Sequence, residues 1–310
     1  MFAGIGGFRS GLAKFGDFFV PVGFCEIDPY ARRAYEAIYD TKGELFFEDA
    51  RQIDPEELPD IDLICGGFPC QSFSIAGKRG GFEDARGTLF FRIAEIVKYQ
   101  IDHGKKPRAL VLENVRSLKT HDKGRTFKTI KNILENELGY QVNVDILNTA
   151  DYGIPQTRNR TYIVCFANEN AEFKYPDKIE LTKTLQDLLE KDVEDKYFLS
   201  EKILPTILSD GTGGYKSKSE IDLKIARPLV ATMAKMHRAC QDNYVTQNGR
   251  IRKLTPRECA RLQGFGDDFI IPVSNAQAYK QFGNAVTVDV ARAVATEVKN
   301  TLKNCGEWYE

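Results

Sequence analysis

Over its first 166 residues the chain alternates short apolar runs with stretches of helical periodicity, and this alternation restricts its possible folds more than any other feature. Residues 19–25, 45–48, 61–65, 109–112, 142–147 and 161–166 have the length and composition of strands. Between them, Phe90, Ile93, Val97 and Ile101 recur at steps of three and four, as do Phe127, Ile130, Leu134 and Leu138. The pattern predicts an α/β fold, an open and mostly parallel sheet with helices on both faces and ligands beyond the carboxyl ends of its strands. A helix pattern at 288–302, with Val290, Val294, Val298 and Leu302 on one stripe, is expected to pack back on that sheet. Residues 184–255 have weaker periodicity, and 184–283 are read as a second, smaller, irregular domain with its hinge, leaving 1–183 with 284–310 as the first.

Composition narrows the class. The 310 residues are 42% hydrophobic and carry a formal net charge of -1, so a core is available and disorder is not expected. No apolar run approaches the roughly 18 residues of a membrane span. The Gly-rich start carries Arg9 and Lys14 within its apolar stretch and makes a poor signal peptide. Seven cysteines without a C-x-x-C pair and three dispersed histidines suggest neither a disulfide framework nor a metal site. A reduced, cytoplasmic, soluble protein is expected. Residues 202–261 hold 12 Lys and Arg against 5 Asp and Glu, an excess suited to phosphates or simply to a solvated face.

Several residues could carry chemistry. F-A-G-I-G-G at residues 2–7 is a glycine-rich turn leading into a helix expected at 8–15, the arrangement that lets backbone approach a ligand. Glu26 follows the next apolar run, where a carboxylate can hold ribose hydroxyls, and another acidic residue, Asp49, ends the run after it. The sharpest signal is G-F-P-C-Q-S-F-S at residues 67–74. It places Cys70 at the rim of the ligand crevice, directly after a strand, with Pro69 stiffening its presentation. Glu113, in Glu113-Asn114-Val115, ends another strand; beside Cys70 it becomes a proton donor or hydrogen-bond partner. Arg158 and Arg160, in Q-T-R-N-R, can fix a carbonyl oxygen or a phosphate.

In combination these segments resemble the DNA cytosine-5 methyltransferases of the bacterial restriction-modification type. Residues 2–7 look like the S-adenosylmethionine motif, 67–74 the nucleophile motif, 113–115 the carboxylate motif and 156–160 the arginine motif. Residues 252–265 look like the segment bordering target recognition and 279–286 like the last motif, all in the family's order. The resemblance covers almost the whole chain. It implies a Rossmann-like methyltransferase domain with a target-recognition domain, and S-adenosylmethionine as methyl donor with no metal. It implies a cytosine flipped out of duplex DNA, with Cys70 adding to C6, Glu113 at N3, and Arg160 with Arg158 nearby at O2. It carries Phe2, Gly4, Gly6, Gly7, Glu26, Asp49, Ala50, Pro69, Leu89 and Asn284 to the cofactor pocket. Ser74, Lys78, Arg79 and Arg86 fall in a closing loop over DNA, and Arg227 and Thr232 match the recognition-domain pattern, with Met233 in place of the usual Leu.

One departure stands out: the family has a strand before the F-A-G-x-G-G turn, and here only Met1 precedes Phe2. Weakened S-adenosylmethionine binding is expected. A cognate endonuclease is a natural partner, no membrane association is implied, and a monomer is expected because flipping one base needs one crevice. Two alternatives compete with this reading: a tRNA cytosine-5 methyltransferase of the same architecture, and a catalytically inactive DNA-binding form.

Overall fold

A computed structural model describes residues 1–68, 89–212, 215–235 and 237–306. The first half runs α1 (Gly7–Leu12), β1 (Gly23–Cys25), α2 (Pro29–Ile38), β2 (Leu45–Phe47), β3 (Leu63–Gly67), α3 (Leu89–Asp102), β4 (Ala109–Val115), α4 (Arg125–Asn132), β5 (Gln141–Asn148) and β6 (Asn159–Phe166). Each apolar run contributes a strand. The first is shorter than its pattern, because Pro21 has no N–H for a ladder and Val20 and Val22 are exposed. Helix α1 ends at Leu12, short of the expected Phe15; a tight turn follows in which Gly16 adopts φ 57°.

Strands β3 and β4 pair in parallel, while β6 lies antiparallel between β4 and β5, giving the order β3-β4-β6-β5. The connection 149–158 between β5 and β6 is too short for a parallel crossover, so the sheet is mixed at this edge. Strands β1 and β2 form a separate parallel pair. Along β4, Leu110 and Leu112 face α3 and α4, whereas Ala109 and Val111 face the opposite side. Strand β6 does the same with Ile163 and Cys165 against Tyr162, Val164 and Phe166. Both faces are therefore covered, as the α/β pattern requires.

Between the two sheets lies a cavity of about 600 Å3, lined among others by Phe24, Cys25, Ile64, Cys65, Ile93 and Ile96. Residues 1–3 close one end. The Met1 ammonium donates to the Cys65 carbonyl at 2.8 Å, and Ala3 N donates to the Cys25 carbonyl at 2.9 Å. Burial pulls the amino terminus below its ordinary pKa.

The second half continues through α5 (Leu204–Ile207), the short pair β7 (Gly211–Thr212) and β8 (Tyr215–Lys216), and the hairpin β9 (Tyr244–Gln247) and β10 (Arg250–Lys253). Then come α6 (Pro256–Arg261), α7 (Asn275–Asn284) and α8 (Val288–Asn304). As its periodicity predicts, α8 seats Val290, Val294, Val298 and Leu302 against Val111, Val164 and Phe166 of the sheet. No helix among the described residues is long and apolar enough to cross a membrane.

Residues 252–265 owe much of their chemistry to folding. Arg252 and Glu258 form a two-pronged ion pair at 2.8 and 2.7 Å with both side chains fully buried. The same carboxylate accepts from Thr255 N and Glu190 N, each at 2.8 Å, closing a capping box at the start of α6. Breaking such a pair leaves an uncompensated buried guanidinium. Glu258→Gln is therefore expected to lower stability by about 3–5 kcal/mol in urea denaturation; a loss below about 1 kcal/mol, the scale of an exposed pair, would contradict this.

Candidate active site

Parallel pairing brings the carboxyl ends of β3 and β4 together, with Gly67 directly opposite Glu113. A Cβ at Gly67 would stand 3.2 Å from Glu113 Oε2, so the glycine makes room for the carboxylate. Arg160 enters β6 opposite Val115 and places Nε 3.0 Å from Glu113 Oε1. Burial raises the Glu113 pKa above its ordinary 4.5, opposed by the nearby charges of Arg160 and Arg158. The result is a carboxyl group biased toward holding a proton, with a guanidinium alongside, at the strand ends where an α/β sheet binds its ligand.

Asn114 is buried and donates from Nδ2 to the Phe68 carbonyl at 2.7 Å, which fixes the backbone leading into residues 69–88. Pro69, Cys70, Ser74, Lys78, Arg79 and Arg86 lie outside the described residues.

A second set of residues gathers at the ends of β1 and β2. In the turn at residues 2–7, Phe2, Gly4 and Gly6 take φ values of 53°, 56° and 85°. Gly4 N donates to Glu26 Oε2 at 2.7 Å and Asp28 N to Glu26 Oε1 at 2.8 Å, so Glu26 ties the turn to the end of β1. A Cβ on Gly7 would lie 2.2 Å from the Val286 carbonyl oxygen, and one on Gly6 2.3 Å from the Tyr39 ring. No side chain fits at either position. At Gly4, by contrast, a Cβ meets nothing within 4 Å, so that stretch of backbone is open to a ligand. Beyond β2, Asp49 caps the turn at Ala50–Gln52 and pairs with Arg51, and Ala50 is buried. Leu89 is half-buried at the start of α3, and Asn284 is exposed at the end of α7.

These residues fit S-adenosylmethionine. Glu26 and Asp49 retain acceptor capacity for hydroxyl and amino donors, Phe2 offers a half-buried ring, and the open backbone at Gly4 admits close approach. The contact between Gly7 and Val286 brings the last motif back to the first, as the resemblance implies.

One expectation needs correction. Arg158 does not line the cleft with Arg160. It is 2% exposed, and its guanidinium donates to the carbonyls of Leu229, Gly283 and Ala285 at 2.9, 3.1 and 2.9 Å. Arg227 is half-buried, with Glu220 3.0 Å from its Nη2 and the Glu220 and Lys218 carbonyls accepting from it. Thr232 is exposed. Within residues 202–261, Arg252 pairs with Glu258 in the interior, Arg250 with Asp195 and Arg261 with Asp267 nearer the surface, while Lys202, Lys216, Lys224 and Lys235 are exposed.

Sequence reasoning assigned no role to Gln156, Gln263, Thr287 or Asn114, all buried and polar. Gln156 donates to the Leu262 carbonyl at 2.6 Å and accepts from Leu229 N at 2.9 Å. Gln263 donates to the Phe282 carbonyl at 2.7 Å and accepts from Thr287 Oγ1 at 2.8 Å. For Asn114, Gln156 and Gln263 the available signal is a polar residue inside a motif, whereas Thr287 lies one residue beyond the last motif.

Residues 1–300 match the model of the C-5 cytosine-specific DNA methylase family. The chain is 41% identical to the type II methyltransferase M.HpaII of Haemophilus parainfluenzae, over 98% of this chain and 89% of that protein. It is 39% identical to M.HhaI of Haemophilus parahaemolyticus, over 97% and 94% respectively. The solved structure of the S. pombe Dnmt2 methyltransferase is similar in fold, with a TM-score of 0.78 at 19% identity, covering 98% of this chain and 97% of that one. The chain belongs to the C-5 cytosine-specific DNA methylase family, and its activity is S-adenosylmethionine-dependent methylation of cytosine C5 in DNA.

Proposed function

We propose that the chain methylates one short, specific duplex sequence by a covalent route through Cys70. The observation that carries this reading is the Glu113–Arg160 pair, held at 3.0 Å at the ends of β4 and β6, where Phe68 leads into the cysteine segment. C5 of an aromatic cytosine is a poor nucleophile. Addition of the Cys70 thiolate to C6 makes the ring enamine-like, and a proton held by Glu113 at N3 takes up the charge that moves onto the ring. Arg160 orients Glu113 and holds O2. Once C5 carries the methyl group, a base removes the C5 proton and the thiolate departs from C6, restoring the aromatic ring.

S-adenosylmethionine supplies an electrophilic methyl on a sulfonium centre. Phe2, Gly4, Gly6, Gly7, Glu26, Asp49, Ala50, Pro69, Leu89 and Asn284 would hold it.

Residues 184–283 serve as the target-recognition domain, with Ser74, Lys78, Arg79 and Arg86 in a loop that closes on DNA and Thr232 on the DNA side. The chain acts as a cytoplasmic monomer at the nucleoid, beside a cognate restriction endonuclease. A duplex carrying 5-fluorocytosine at the target position tests the chemistry, because fluorine at C5 cannot leave as a proton. Mass spectrometry should find the DNA bonded to the Cys70 peptide, and a complex that dissociates completely on denaturation would contradict the covalent route.

A further inference from the structure

Three chain segments meet at one buried point: residues 156–158 ahead of β6, residues 226–231, and residues 283–285 at the end of α7. Their approach is close. A Cβ on Gly283 would lie 2.3 Å from Ala231 N and from the Val230 carbonyl carbon. Gln156 bridges in parallel to Ala226, with Thr157 N donating to the Ala226 carbonyl and Ala226 N to the Pro155 carbonyl, each at 2.8 Å. The Arg158 guanidinium sits at the centre, bonded to three carbonyls, two of them at the carboxyl end of α7, where the helix dipole favours a cation. Its Nε has no hydrogen-bond partner among the described residues. Among the described residues no carboxylate contacts this guanidinium; a buried charge held that way is an expensive means of holding a fold together, and an apolar side chain would fill the space at lower cost. The arrangement therefore calls for a role beyond packing.

We infer that Arg158, seated by Gln156, is a positioning residue that couples the placement of residues 226–231 to that of the Glu113–Arg160 pair. Arg158 lies two residues before Arg160, so a shift of the 226–231 segment that moves the guanidinium moves the start of β6 with it. Gln156 holds the same junction from the other side, through Leu229 N and the Leu262 carbonyl. In this way engagement of the recognition region reaches the catalytic carboxyl group through backbone carbonyls. Arg158 also contributes its charge: Glu113 is faced by Arg160 and Arg158 as cations and by the Tyr162 hydroxyl from β6. The inference rests on the catalytic reading proposed above.

The test compares wild type, Arg158→Met, Arg158→Lys and Gln156→Met in single-turnover methylation of plasmid DNA, with thermal melting and S-adenosylmethionine titration alongside. Arg158→Met is expected to slow transfer by about 10- to 100-fold, the scale of a small misplacement of reacting groups, with cofactor affinity within about twofold. It should also move the alkaline limb of the pH–rate profile upward, because Glu113 loses one of its two cations. Arg158→Lys keeps the charge but not the three-carbonyl fork, so its limb should stay in place and its rate should lie between the other two. A folded Arg158→Met that transfers at the wild-type rate overturns the inference. So does an equal loss in the Met and Lys variants with no movement of the limb, which is what a packing role alone would give. If Arg158→Met does not fold, wild-type rates in both Arg158→Lys and Gln156→Met overturn it. Failure of the wild-type chain to methylate cytosine would instead refute the catalytic reading itself.

Discussion

Cys70→Ala is expected to reduce methyl transfer by about 10⁴-fold or more, the scale on which removal of a covalent nucleophile falls, while leaving DNA binding within about twofold. The asymmetry follows from the chemistry: binding rests on phosphate and base contacts spread over many residues, whereas activation of C5 rests on one thiol. The described cysteines offer no substitute at the strand ends. Burial pushes the Cys25 thiol up to about 11 and that of Cys65 up to about 12, and it holds Cys165 and Cys259 neutral still more firmly. Single-turnover transfer of a labelled methyl group, measured beside a filter-binding isotherm, separates the two effects. Appreciable turnover in the alanine variant would remove Cys70 from the nucleophile role.

Glu113→Gln carries the second large effect, an expected loss of about 10²- to 10⁴-fold in the chemical step, the usual worth of a positioned proton donor. Glutamine keeps the shape and can still accept from Arg160, but it has no proton to lend to N3. The sign of the pH dependence follows from burial. Because the folded-state pKa of Glu113 is raised, the carboxyl keeps its proton above 4.5, and the wild-type rate should fall as pH rises through that raised value. The same group contributes to stability in the opposite sense to a salt-bridged acid: the unfolded chain loses the proton first, so stability falls as pH rises from 4.5 toward the raised value. Glu113→Gln should abolish both trends. A variant that retains the wild-type rate and pH profile would show that Glu113 is not the donor.

Legibility in the sequence followed periodicity. The strand cores at Ile64, Leu110 and Ile163 and the α8 stripe of Val290, Val294 and Val298 sit where their spacing placed them, because burial on one face is a local property of the pattern. Glu113 and Arg160 could be picked out because short motifs at strand ends carry them. What local pattern did not show was long-range partnership. That Arg158 would leave the cleft for the carbonyls of residues 229, 283 and 285 depends on segments up to 127 residues away. The mixed pairing of β6 depends on the length of its connection to β5. Arg227, Arg250, Arg252 and Arg261 counted toward a basic face by composition alone, yet each finds a carboxylate once the chain is folded.

Bisulfite sequencing of plasmid DNA from a bacterial host expressing this chain tests the central claim most directly. Cytosines protected at one recurring short sequence, and deprotected in the Cys70→Ala strain, are the expected result. Uniform conversion of every cytosine in the presence of folded wild-type protein would contradict it.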